Sequence, residues 1–311
     1  MDVVTNLLYF SIASGGGLVL AAIGEWLSER SGVLNLGQEG LMSLGAVTAI
    51  IAAFAFHSLW LSLMIVCGVG IVCGFIFAVS AVVIRANQVL CGLAFTMLGI
   101  GIAELIGKPY EGIAAPVHLQ PISVPILSSI PVVGHIFFSQ NILVYLIYIV
   151  LPLIVHYVFF RTQHGLNVRA VGESPEAADA VGISVMRVRF IYSCLGTVFG
   201  TLAGGYLVLA TVFTWSGGLI AGQGWVAIAL VMLGRYRLIY MILSGVFFGF
   251  IAAIGFEGQA FNWPISPVIL NSLLYVCTIL FSIFPSFISK HHSKKWLAPA
   301  ALCTSFFRSY R

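Results

Sequence analysis

Apolar residues in this chain come in long unbroken runs separated by short polar stretches, and that pattern predicts most of its architecture. Residues 5–24 carry no charge. Residues 31–84 carry one acid, Glu39, and are long enough for two membrane spans with a break near His57–Trp60. Residues 86–107 carry only Glu104, and the loop over 108–140 that follows holds five prolines, Pro109, Pro116, Pro121, Pro125 and Pro131. Residues 141–160 are apolar and 161–189 polar. Residues 190–234 contain no Asp, Glu, Lys or Arg, and 238–256 and 266–288 are apolar again. A span needs about 20 predominantly apolar residues. The chain therefore divides into nine hydrophobic segments, the seventh (near 221–234) only 14 residues long. A transmembrane barrel would alternate apolar and polar residues at every second position, so continuous runs of this length call for helices. The expected fold is all-α: a polytopic membrane helical bundle of about nine segments, a single domain over 1–289, with a tail at 290–311.

Composition narrows the class further. Of 311 residues, 60% are hydrophobic and 8% charged, against about 25% charged in soluble domains. So little charge cannot cover a water-facing surface, which excludes an ordinary soluble enzyme, and too little of the chain is polar for disorder. Lys and Arg set the direction of the spans. With the N-terminus outside, the inner side holds Arg30, Arg85, Arg161, Arg169, Arg187, Arg189, Arg235, Arg237, Lys290, Lys294, Lys295, Arg308 and Arg311, and only Lys108 lies outside. That arrangement makes 108–140 an external loop, 161–189 a cytoplasmic loop and 290–311 a cytoplasmic tail. The net charge of +4 is too small and too dispersed to suggest nucleic acid. The six cysteines form no CxxC or Cys/His cluster, so no disulfide framework or metal site is expected and they read as small packing residues. The opening MDVVTNLLYF lacks a basic leader and reads as the lead-in to a retained span.

Small residues recur at four-residue spacing, which lets helix backbones approach closely in lipid. Gly196, Gly200 and Gly204 form a triple; Gly70/Gly74, Gly218/Gly222 and Gly245/Gly249 repeat the interval. They mark a tightly packed bundle or a subunit interface. The cytoplasmic loop holds a short helix with its own punctuation. Ser174 suits an N-cap and Pro175 the first helical position. Glu176 and Asp179 complement the N-terminal dipole, and Gly182 supplies the stop. Ala177, Ala178, Ala180 and Val181 leave its surface small and apolar. A helix of about two turns is marginal alone. It is either held in another protein's groove or is a linker lying on the membrane.

Candidate pathway chemistry centres on Asn35, Gln38 and Glu39, after Gly32 and Gly37, where a helix is expected to break. An intramembrane acid usually faces a cavity or a partner, and Asn and Gln both donate and accept hydrogen bonds, which suits a neutral sugar or base. Glu39 either lines a path or holds a bend near Arg30. Residues 31–38 (SGVLNLGQ) align without gaps on 216–223 (SGGLIAGQ), which adds Gln223 as a counterpart of Gln38. The two segments run in opposite directions in the expected topology. An inverted repeat with broken helices would mark the substrate path; the alternative is coincidence in a glycine-rich chain. Trp215, Trp225 and Trp263 fit anchoring at the outer interface.

Four stretches carry a resemblance. Glu176-Ala-Ala-x-x-x-Gly182 resembles the EAA-type coupling loop of bacterial ABC-transporter permeases. Residues 29–45 (ERSGVLNLGQEGLMSLG), 222–234 (GQGWVAIALVMLG) and 298–302 (APAAL) resemble the nucleoside and simple-sugar permeases of the branched-chain-type permease family. The resemblance implies a membrane subunit of an ATP-driven importer in the bacterial plasma (inner) membrane. It implies three partners: an ATP-binding subunit docked on the 174–182 helix, a second homologous permease and an extracytoplasmic solute-binding protein. The chain has no GxxxxGK[ST] loop, so ATP and magnesium belong on the partner and no cofactor is expected here. A gradient-driven carrier is the alternative, against which stand the few intramembrane ionisable groups. An intramembrane enzyme would need a catalytic constellation, and neither HExxH nor paired carboxylates occur.

Overall fold

The computed structural model describes residues 3–125, 127–260, 263–288 and 298–307. It is nearly all helical, and among the described residues only isolated β-bridges occur. The helices in chain order are α1 (Val3–Arg30), α2 (Gln38–Phe56), α3 (Leu59–Ala78), α4 (Gln88–Gly107), α5 (Val133–Phe138), α6 (Ile142–Tyr145), α7 (Leu151–Arg161), α8 (Gln163–Glu173), α9 (Pro175–Ala180), α10 (Val185–Tyr206), α11 (Gln223–Leu233), α12 (Leu238–Ala260) and α13 (Pro267–Ile288). A π-turn joins α6 to α7, and others extend α3 and α10 to Val83 and Val212. Seven of these stretches are long and apolar enough to cross a membrane, and α11 is a shorter apolar helix. With α11 and α13, the nine segments of the sequence each find a helix. The break near His57 is there too: His57 takes a left-handed conformation that ends α2, and Ser58 is extended before α3.

α1 and α10 are the axis of the bundle. α1 packs along α10, α11 and α12, while α10 also packs on α2 and α3, and α2 on α4. Glycine makes these contacts close. A Cβ at Gly24 would lie 2.7 Å from the Gly196 carbonyl oxygen, and one at Gly204 would overlap the Met42 carbonyl. Gly200 lies against Gln38 of α2. The Gly196/Gly200/Gly204 triple therefore joins α10 to α1 and α2 within this chain. Gly70 and Gly74 seat α3 on α10, and Gly245 and Gly249 seat α12 on α1. Gly218 and Gly222 do otherwise: they lie in the loop before α11 with φ of +72° and +83°, where freedom from a Cβ serves the turn.

The two ends of the bundle differ. At one end the 108–125 strand of loop lies along the top of α10, with Gly112 N donating to Trp215 O (2.8 Å), Ala115 N to Phe213 O (2.7 Å) and Leu119 N to Leu209 O (2.8 Å). Trp215 is 2% exposed under this cover and packs on Gly107; it is an internal wedge, not the interfacial anchor expected of it, because the loop folds back over it. At the other end Arg30 donates to Tyr236 O (3.0 Å), Arg189 donates to Thr304 O (2.6 Å), and Arg85 lies over the Phe307 ring. The basic ends of α1, α3 and α10 thus gather with the 161–189 loop, the 234–237 turn and residues 298–307. Of the tail assigned to 290–311, residues 298–307 pack onto the bundle; Lys290, Lys294, Lys295, Arg308 and Arg311 lie outside the described residues.

Candidate functional site

Two helices begin inside the bundle, away from its ends. α1 ends at Arg30, and the chain turns through 31–37, with Gly32 at φ +91°, before α2 starts at Gln38. After the π-turn that ends at Val212, a loop leads to Gly222 and α11 starts at Gln223. These starts are the two glutamines that coincide in the alignment of 31–38 with 216–223. α2 runs from the Gly32 end toward Trp215, where Gly107 packs against Val47 and Trp215. α11 runs the other way, into the turn whose Tyr236 carbonyl accepts from Trp26 (3.0 Å) and Arg30. The two helices are antiparallel, and their N-termini meet. Gln38 lies beside Gly200, eleven residues beyond Arg189 on α10. At 1.5 Å per residue that is about 16 Å, half of a hydrocarbon core about 30 Å thick.

Each helix N-terminus carries roughly half a positive charge, so two starts in contact repel unless an anion lies between them. Glu39 supplies it. Its carboxylate accepts from Gly222 N at 2.6 Å and from Gly224 N at 2.7 Å, and a Cβ at Gly224 would overlap the Glu39 backbone. The side chain is 5% exposed with both oxygens engaged. Glu39 thus bridges the start of α2 to the start of α11, with α11 as its partner in place of Arg30.

A second acid, Glu25, holds the break itself, and sequence reasoning passed over it. It is fully buried; Asn35 N donates to its Oε1 (3.0 Å) and Gln38 Nε2 to its Oε2 (2.8 Å). Leu34 N donates to Gln88 Oε1 (2.9 Å), Thr96 Oγ1 donates to Leu36 O (2.9 Å), and Gly37 N donates to Asn35 Oδ1 (2.9 Å). Asn35 Nδ2 and Gln38 Oε1 remain buried without a partner. Gln223 is buried at the start of α11, one residue from each Glu39 contact. The structure thus brings Asn35, Gln38, Glu39 and Gln223 together at one level. The signal for Glu25 was its place one turn before Glu29, where the apolar run of α1 meets the polar 35–39 stretch.

The 161–189 loop folds into α8 and α9. Ser174 Oγ accepts from Ala177 N (3.4 Å), Pro175 opens α9, and Gly182 at φ +88° ends it. Ile183 N returns to Ala178 O (3.0 Å) and Gly182 N to Asp179 O (3.0 Å). The outer face presents Glu176, Ala177, Ala180 and Val181, the last 75% exposed, while Asp179 is half-buried. Ala178 does not belong to that face. It is 2% exposed and packs with Val171, Val185 and Phe306, because the turn through Gly182 folds α9 back on α8 and α10. Bulk at Ala178 would act on the chain's own packing before any partner met it.

Comparison with known proteins fits this architecture. The family model described as "Branched-chain amino acid transport system / permease component" matches residues 7–283. The guanosine ABC transporter permease NupQ of Bacillus subtilis is 35% identical over 85% of this chain and 86% of its own length. The nucleoside ABC transporter permease NupC of Lactococcus lactis is 32% identical over 90% of both chains. TsgC13 of Haloferax volcanii, provisionally a glucose ABC transporter permease, is 31% identical over 99% of both. A solved inward-facing ABC transporter, provisionally of metal-chelate type, shares the fold with a TM-score of 0.50 at 17% identity, over 93% of this chain and 86% of its own. The chain belongs to the permease-component family of branched-chain amino acid transport systems and is a multi-pass membrane permease of the ABC-transporter class.

Proposed function

We propose that this chain is the membrane subunit of an ATP-driven importer of nucleosides or simple sugars. The observation that carries the reading is α9: a capped, stopped two-turn helix whose exposed face is the small apolar Ala177, Ala180 and Val181 beside Glu176, at the end of the bundle where the basic residues gather. Such a face fits a groove on an ATP-binding subunit, which would hold ATP and magnesium. A second homologous permease and an extracytoplasmic binding protein complete the assembly, the latter meeting the end covered by 108–140. The N-terminus is outside and the C-terminus in the cytoplasm of a bacterial plasma membrane; the clustering of Arg30, Arg85 and Arg189 opposite Lys108 supports that direction.

The relatives named for guanosine, nucleosides and glucose support the substrate class. So does the chemistry at mid-membrane, where Asn35 Nδ2 and Gln38 Oε1 are buried without a protein partner, a donor and an acceptor of the kind a neutral, hydroxyl-bearing solute engages. The path runs past Asn35, Gln38 and Gln223, with Glu39 holding its two halves together. The test is co-reconstitution with the ATPase, the second permease and the binding protein in vesicles. ATP-dependent uptake of labelled guanosine or glucose is the expected result. Uptake driven by an ion gradient without ATP would overturn the reading in favour of a secondary carrier.

A further inference from the structure

Residues 298–307 touch, within ten residues, the end of α8, the break after α1, α10, the underside of α9 and Arg85 beyond α3. Ala300 N donates to Glu173 Oε2 (3.3 Å) and Ala301 N to Gly172 O (2.9 Å), at the end of α8. Cys303 N donates to Gly32 O (3.2 Å), at the break between α1 and α2. Arg189 of α10, 3% exposed, donates through its two terminal nitrogens to Thr304 O (2.6 Å) and Ala301 O (3.5 Å). Its guanidinium lies against Gly32, where a Cβ would stand 2.9 Å from Nη2 and 3.3 Å from Ala301 O. Phe306 then enters the small cluster of Val171, Ala178 and Val185 beneath α9, and Phe307 lies under Arg85.

We propose that residues 298–307 are a strap that seats α9 and ties it to the break from which α2 enters the membrane, with Arg189 as the positioning residue that fastens it. The inference rests on the reading of α9 as the docking helix only for its consequence in transport; the seating of α9 is a property of this chain alone. Three physical facts carry it. α9 is too short to hold itself, so its position must come from what lies under it. Its apolar support among the described residues is the buried trio Val171, Ala178 and Val185, flanked by Ala170, Ile183, Val188 and Phe306, and of these Phe306 comes from the strap. A guanidinium buried beside carbonyls is a strong, directional fastening, since it keeps its charge and presents donors in a fixed fork. The same fastening reaches Gly32, so a shift of α9 is passed to residues 31–37 through main-chain bonds and one side chain.

The experiment is amide hydrogen exchange on the purified full-length permease without its ATPase, in wild type, Arg189→Gln, Arg189→Lys and Phe306→Ala. The probes are the amides of Ala178, Val181 and Ile183, which are bonded within the α9 turn, with Met42–Ala53 of α2 as the internal control. The expected result is at least tenfold faster exchange at the α9 amides in Arg189→Gln and Phe306→Ala, partial recovery in Arg189→Lys, and an unchanged α2. Wild-type exchange at α9 in the presence of fast exchange at Ala301 and Cys303 would overturn the proposal, because the strap would then be loose and α9 still seated. An equal rise in α2 would overturn it too, by making Arg189 and Phe306 general supports of the bundle. Phe306→Ala keeps the test usable if Arg189→Gln does not fold. Failure of the ATPase to bind α9 would sink the functional reading and leave these exchange rates unaffected.

Discussion

Replacing Glu39 by Gln isolates the clasp between the two helix starts. The substitution keeps the shape of the side chain and one acceptor oxygen. The other oxygen becomes an NH2 group, which points a donor at the N–H of Gly222 or Gly224, now 2.6 and 2.7 Å from the carboxylate. One buried amide loses its partner, at a cost of about 1–3 kcal/mol. Removing the anion from between two helix N-termini costs about 0.3–2 kcal/mol more. The combined loss is about 1–5 kcal/mol, concentrated at the start of α11. The assay is reversible unfolding in mixed micelles together with amide exchange over 222–226. Stability should fall by that amount, and exchange should rise first at Gly222 and Gly224. Glu39→Asp, which keeps the charge but shortens the reach, should fall between the two. Unaltered stability and protection in Glu39→Gln would refute the clasp and return Glu39 to the role of a path-lining acid.

Other consequences are as specific. Gly204→Leu should lose most of the folded protein, since even one methyl there meets the Met42 carbonyl and overpacking costs about 1–3 kcal/mol where neighbours can give; size-exclusion yield reads it. Ser174→Ala should weaken α9 by about 1 kcal/mol through loss of its cap, seen as faster exchange at Ala177 and Ala178. Ala178→Trp should loosen α9 in the isolated permease, because Ala178 packs on Val171 and Val185; unchanged exchange there would contradict the inward orientation. Cysteine placed at His118 should react with impermeant reagent in intact cells and one at Glu176 should not; the reverse pattern would invert the topology.

Much of the fold was legible because lipid imposes its lengths on the sequence. Nine apolar segments, the stop at His57 and the caps at Ser174 and Gly182 are local features, set by the residues that form them. The inward direction of Ala178, the burial of Trp215 and the partner of Glu39 were not legible. In a membrane helix both faces are apolar, so periodicity does not say which face meets protein and which meets lipid. The contacts that decide these positions join residues far apart in the chain: Glu39 with Gly222 and Gly224, Gly112 with Trp215, Phe306 with Ala178. The correspondence of Gln38 and Gln223 marked two helix starts, but not that the starts touch. Glu25 was hidden because it closes an apolar run, where an acid reads as the beginning of solvent.

The measurement closest to the central claim is co-purification of the ATP-binding subunit with the permease, comparing wild type with Ala177→Trp. Ala177 lies on the exposed face of α9, so the bulky side chain leaves the bundle folded and alters only what α9 offers a partner. The account expects the wild-type chain to retain the ATPase and Ala177→Trp to lose it, with the same elution profile for the permease in both. Equal retention by Ala177→Trp would contradict the claim that α9 is where this chain receives its energy.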